Sequence, residues 1–165
     1  KSGFDAATDS TTEDHRWWEY NIEEPFIKML PTNLAASIGL AQLDRIDKLQ
    51  ARRKEIWEIY QHELSKIDVL INPSNLANLR DRHSYFTYCI RVPNRDQLAN
   101  YLLQKGIYTT LRYHPLHMNP LYEQMHVKLQ NSEELNRKAL SIPLHPRLSN
   151  EDVEKVIYEI NSFYK

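Results

Sequence analysis

The chain has 165 residues, a formal net charge of −1, 41% hydrophobic and 26% charged residues, and one cysteine. That length supports one hydrophobic core, and a near-neutral chain without a basic, aromatic-interleaved stripe is not built for nucleic acid as its main partner. Cys89, alone inside an apolar stretch, excludes an intrachain disulfide and is expected to be an inert buried thiol of a cytoplasmic protein. No apolar run nears the roughly 18 residues of a membrane span.

Residues 1–31 read as loop and linker. They have little periodicity, a polar Thr-rich stretch from Asp9 to Asp14, and a Trp17-Trp18 pair that needs burial or a partner surface. Pro25 to Pro31 then leads into a segment capped by Thr32 or Asn33. From Leu34 to Leu43 this segment is apolar and small-sided all round, so protein must cover it on every side. From Asp44 to Ile67 it turns amphipathic, with Ile46, Leu49, Ile56, Tyr60, Leu64 and Ile67 at steps of three and four. No proline interrupts it, which predicts one long helix over 32–67, kinked near Gly39, running from one domain into another. Arg52-Arg53-Lys54, beside Asp47, Glu55 and Glu58, reads as a solvated helix face.

Residues 68–165 predict a small α+β domain, a sheet covered by helices. The expected elements are a short strand at 69–71, a strand alternating over 84–92, and a helix over 95–105 capped by Asn94 and closed by Gly106. A strand over 107–113 follows, then a helix over 131–140 with Glu134 in its capping box. Ile142-Pro143-Leu144 is placed at a sheet edge by its proline. Ser149 caps a last helix striped by Val153, Val156, Ile157, Ile160 and Phe163.

The histidines are the candidate ligand-facing groups. His114 and His117 flank Pro115 and Leu116 after a strand, where a loop is expected to face a ligand, while His83 and His145 are expected to cap strand ends. No cysteine cluster or His-Glu-x-x-His helix accompanies them, so no metal site is expected. The three glycines, Gly3, Gly39 and Gly106, lie too far apart for a phosphate-cradling loop.

Four stretches in order resemble the DegT/DnrJ/EryC1/StrS sugar aminotransferases. They are Thr32 to Leu43 with Arg52-Arg53 and Tyr60, His83 to Val92, Tyr113-His114-Pro115-Leu116-His117, and Leu140 to Pro146; together they cover roughly residues 22–163. The resemblance implies the C-terminal small domain of a fold type I aminotransferase, with residues 32–67 as the interdomain helix. It implies pyridoxal phosphate as cofactor, glutamate as amino donor, a keto nucleotide-sugar as substrate, a homodimer, and a Schiff-base lysine in a Gly-rich segment upstream of these residues. No catalytic residue is then expected in this chain. Lys28 matches a family lysine that reaches cofactor or substrate, although Leu30 and Pro31 depart from the pattern around it. The substrate-binding residues implied are Lys28, His114 and His117. A reading from another class is a non-catalytic domain that assembles through its apolar helix.

Overall fold

The computed structural model describes residues 31–74, 83–111, 113–125 and 127–165. Lys28, Trp17-Trp18, the 9–14 loop and the Pro25–Pro31 linker up to residue 30 lie outside them. The chain divides into two compact units, Lys1–Ala41 and Gln42–Lys165.

The single helix expected over 32–67 is two helices, α1 (Asn33–Leu43) and α2 (Ile46–Leu64). Gly39 stays helical, and the interruption falls at Asp44–Arg45, where the Arg45 amide donates to Gln42 O, three residues back, at 3.2 Å. Thr32 is the cap of α1, its Oγ1 accepting from Ala35 N at 3.1 Å. The apolar first stretch is not buried: all of α1 is exposed, Leu34 by 73% and Leu40 by 64%.

In the second unit the remaining elements follow in order: β1 (Tyr88–Arg91), α3 (Arg95–Gln104), two short 3-10 turns (Leu116–Met118 and Pro120–Met125), α4 (Gln130–Lys138), β2 (Ala139–Ile142) and α5 (Asn150–Phe163). It is helix-rich, with one small antiparallel sheet in which Tyr88 faces Ile142 and Ile90 faces Leu140. Among the described residues the strands expected at 69–71 and 107–113 shrink to single bridges, Ile71 to Arg91 on one side and Thr110 to Ser141 on the other. The segment before Pro143 is therefore interior to the sheet, and Pro143 falls just past β2, where its missing N–H costs no ladder bond.

Alternation in β1 works as the pattern requires. Tyr88, Ile90 and Val92 are buried, facing the core with Leu140 and Ile142. Helices α2, α3 and α5 cover that face, contributing Ile56, Tyr60, Leu64, Leu98, Leu102, Val153, Val156 and Ile160. Trp57 joins the core edge-on to Tyr88, with ring centroids 4.8 Å apart. Ser149 caps α5 in a reciprocal box with Asp152, both bonds being 3.0 Å. Gly106 ends α3 at φ +77°, the left-handed position that favours glycine. Asn94 precedes α3 without capping it, and its Oδ1 instead accepts from the Tyr164 hydroxyl at 2.8 Å. No described helix is long and apolar enough to cross a membrane.

Candidate functional site

The stretch Tyr113–Asn119 carries the two candidate histidines. Its backbone tightens into a 3-10 turn after Pro115, whose carbonyl accepts from Met118 N at 3.0 Å and from Asn119 Nδ2 at 3.4 Å. His114, before the turn, is exposed and has no hydrogen-bond partner among the described residues. His117, inside it, is turned inward, with 11% of its side chain exposed. Its Nε2 lies 3.2 Å from Oε1 of Glu133, in the first turn of α4. The same oxygen accepts from Leu129 N at 3.1 Å. The hydrogen bond from His117, then the one from the Leu129 amide, holds the Glu133 carboxyl below the usual carboxylate range.

Glu133, not Glu134, thus serves the start of α4, because the helix begins one residue earlier than its pattern predicts. Glu134 lies on an exposed face and pairs with Lys138 at 2.7 Å. The sequence alone could not select Glu133, since its partner His117 is 16 residues away.

His83 and His145 act in turns. Nδ1 of His83 accepts from Tyr85 N at 3.1 Å, and Nδ1 of His145 from Arg147 N at 3.2 Å. The His83 ring meets Trp57 edge-on at 4.8 Å, and burial lowers its pKa. Tyr85 takes φ +46°, a left-handed conformation that costs energy for an aromatic residue. Packing on Trp57 and the His83 bond hold it there. Cys89 is half-buried in β1, and burial pushes its thiol up, away from the reactive thiolate. Among the described residues no three His, Cys, Asp or Glu side chains gather in a way that could hold a metal ion.

Arg52 and Arg53 are not a solvated face. Arg52 donates to Leu148 O at 2.7 Å and to Asn150 Oδ1 at 2.9 Å, and pairs with Glu55 at 2.8 Å. Arg53 Nη1 reaches the carbonyls of Tyr85, Phe86 and Leu144 at 3.3–3.4 Å. Only Lys54 of the run stays on the surface, facing Glu58 at 3.7 Å. Arg53 lies at the wall of a cavity of about 550 Å³, beside Tyr108, Thr110, Ser141, His145 and Lys155.

Comparison with known proteins matches residues 7–161 to the sequence profile of the DegT/DnrJ/EryC1/StrS aminotransferase family. The chain belongs to this family. Its match extends further toward the N-terminus than the motifs alone indicate. The dTDP-4-dehydro-2,3,6-trideoxy-D-glucose 4-aminotransferase of Saccharopolyspora spinosa is 35% identical over 159 residues, covering 96% of this chain and 40% of that protein. The aminotransferase TlmJ from Streptoalloteichus hindustanus superposes with a TM-score of 0.81 at 36% identity, covering 95% of this chain and 42% of TlmJ. Spr1654 of Streptococcus pneumoniae, solved in its PLP form, superposes with a TM-score of 0.76 at 28% identity, covering 89% of this chain and 38% of that one. The chain thus spans about two-fifths of the length of these relatives.

Proposed function

We propose that this chain is the C-terminal portion of a cytoplasmic, homodimeric, pyridoxal-phosphate-dependent aminotransferase that moves an amino group from glutamate to a keto nucleotide-sugar. The family match over residues 7–161 carries the reading. The partial coverage of the relatives and the absence of any Gly-rich, lysine-bearing segment in the sequence support a portion that follows the catalytic lysine. Residues 1–31 then lead in from a large domain, 32–67 are the interdomain region, and 68–165 belong to the small domain of a fold type I enzyme. The apolar surface of α1 is covered by the large domain and by the second subunit.

The described residues do not fit pyridoxal phosphate by themselves. Its phosphate needs convergent free donors, whereas Nη1 of Arg53 is directed at three backbone carbonyls and Arg52 at Leu148, Asn150 and Glu55. The Schiff-base lysine and the phosphate donors are therefore assigned to residues upstream. This chain's part is to close one side of the cleft, exclude water and orient the sugar. Lys28, His114 and His117 are the assigned substrate contacts, an ammonium and two imidazoles suited to hydroxyl and keto oxygens.

The test uses the intact protein, expressed from the full reading frame around this chain. It should show cofactor absorbance and aminate a keto nucleotide-sugar at the expense of glutamate. Lys28→Ala and His114→Ala should each raise KM for the sugar roughly 3- to 10-fold and leave the absorbance unchanged, as expected for loss of one hydrogen bond worth about 0.5–1.5 kcal/mol. The 165-residue chain alone should form no borohydride-stable cofactor adduct at a specific lysine. Turnover by the chain alone would refute the portion reading. An intact protein that neither binds the cofactor nor aminates would leave the assembly-domain reading, which the exposed apolar surface of α1 favours.

A further inference from the structure

His117 and Glu133 come from different elements, yet one carboxylate oxygen meets both the imidazole at 3.2 Å and the Leu129 amide at 3.1 Å. We infer that Glu133 is a positioning residue for His117, fixing its ring as the Nε2–H form and leaving Nδ1 as a hydrogen-bond acceptor for a hydroxyl of the sugar substrate. The inference rests on the nucleotide-sugar reading of this loop and sharpens it, because it assigns His117 to a hydroxyl rather than to the keto oxygen.

An ionised carboxylate only accepts hydrogen bonds. Glu133 already takes the Leu129 N–H, and the two hydrogen bonds keep its carboxyl ionised near neutral pH. The proton in the 3.2 Å contact must therefore sit on Nε2 of His117. In a neutral imidazole a proton on one nitrogen leaves a lone pair on the other. That other nitrogen, Nδ1, has no partner among the described residues.

The surroundings keep the ring from swinging to another partner. The 3-10 turn is closed at Pro115 O by Met118 N and at Leu116 O by Asn119 N, both at 3.0 Å. One turn further along α4, Asn136 Nδ2 lies 3.8 Å from Met118 Sδ, a second tie between the same two elements. The carboxylate is in turn pinned by the backbone amide, so it cannot follow solvent away from the ring. A tautomer held this way needs no reorganisation when substrate arrives.

Two measurements test the inference. In the 15N-histidine-labelled chain, at a pH where the ring is neutral, His117 should show an Nε2–H proton protected from exchange with water and an unprotonated Nδ1. Glu133→Gln should keep that protected proton, since the amide carbonyl still accepts it, and Glu133→Ala should lose it while the amide signals of β1 and β2 stay in place. In the intact enzyme, Glu133→Ala should raise KM for the nucleotide-sugar about five-fold with kcat changed less than about two-fold. It should add nothing further in a His117→Ala background, as expected for residues acting as one unit. A proton on Nδ1 in the parent, or a protected Nε2–H that survives Glu133→Ala, overturns the inference. So does a KM increase of the same size with and without His117, the mark of a helix cap alone. If the tautomer behaves as expected but His117→Ala leaves KM unchanged, the substrate reading of the loop fails and the acceptor role with it. If His117→Ala raises KM but the tautomer ignores Glu133, the site stands and only the role of Glu133 is lost.

Discussion

Replacing Tyr60 by phenylalanine removes one oxygen from the centre of the core and leaves the ring in place. Tyr60 is fully buried, its ring lies edge-on to Tyr88 at 5.2 Å, and its hydroxyl donates to the Pro143 carbonyl at 3.0 Å. The substitution keeps the packing and deletes only that bond. A buried carbonyl left dry would cost about 1–3 kcal/mol, whereas one rehydrated by water costs about 0.5–1.5 kcal/mol. Pro143 borders the cavity of about 550 Å³, so water can reach it and the lower range applies. The expected loss is about 1 kcal/mol, or a shift near 0.5 M in the urea midpoint at an m-value of about 2 kcal/mol/M. Tyr60→Ala also empties the ring's volume and breaks the aromatic pair, and should cost about 4 kcal/mol. Urea unfolding of the chain followed by far-UV circular dichroism measures both. An unchanged midpoint for Tyr60→Phe would mean that the tie to Pro143 contributes nothing. A loss as large as that of the alanine variant would refute the claim that packing dominates at this position.

Ser149→Ala removes the cap of α5 and should cost about 1 kcal/mol in the same urea assay, with no loss refuting the role of the box. Asp152, the other half of that box, has its carboxyl held below 3.8 by the Ser149 amide and hydroxyl, so its contribution is present above that pH and is lost as the pH falls through the lower folded value. At the alkaline end, burial pushes the phenols of Tyr60 and Tyr88 far up and that of Tyr164 to about 12, all from 10.0. Raised phenols stabilise the fold fully below about pH 10 and progressively less above it, so unfolding free energy should fall from there upward, and a flat profile between about pH 9 and pH 11.5 would contradict their burial. In the intact protein, Ala36→Arg should abolish subunit association as read by sedimentation, because a charge there would have to be desolvated without a partner. A parent-like oligomer would remove α1 from the interface.

What could be read in the sequence is what depends on neighbours a few residues apart. The stripe and cap of α5, the closing Gly106 and the burial of Tyr88, Ile90 and Val92 all follow from local periodicity and backbone preference. The family was legible for a related reason, since its motifs are short contiguous runs that keep their order. The candidate site was legible as a loop with two histidines, but not as a pair with different environments.

Tertiary structure alone decided where distant groups meet. Arg53 looks like any charge on a helix face until carbonyls 32 and 91 residues away turn toward its Nη1. Glu133 and Glu134 are equivalent in composition, and only the position of His117 and the true start of α4 separate them. The interior place of β2 depends on Thr110 bonding to its far side, a pairing that no local pattern encodes. At Asp44–Arg45 neither glycine nor proline marks the interruption between α1 and α2, so the backbone leaves the helical ladder without a residue that requires it. Periodicity states which face of an element is apolar; which surface meets it is set by long-range packing, and α1, apolar as it is, has no buried residue.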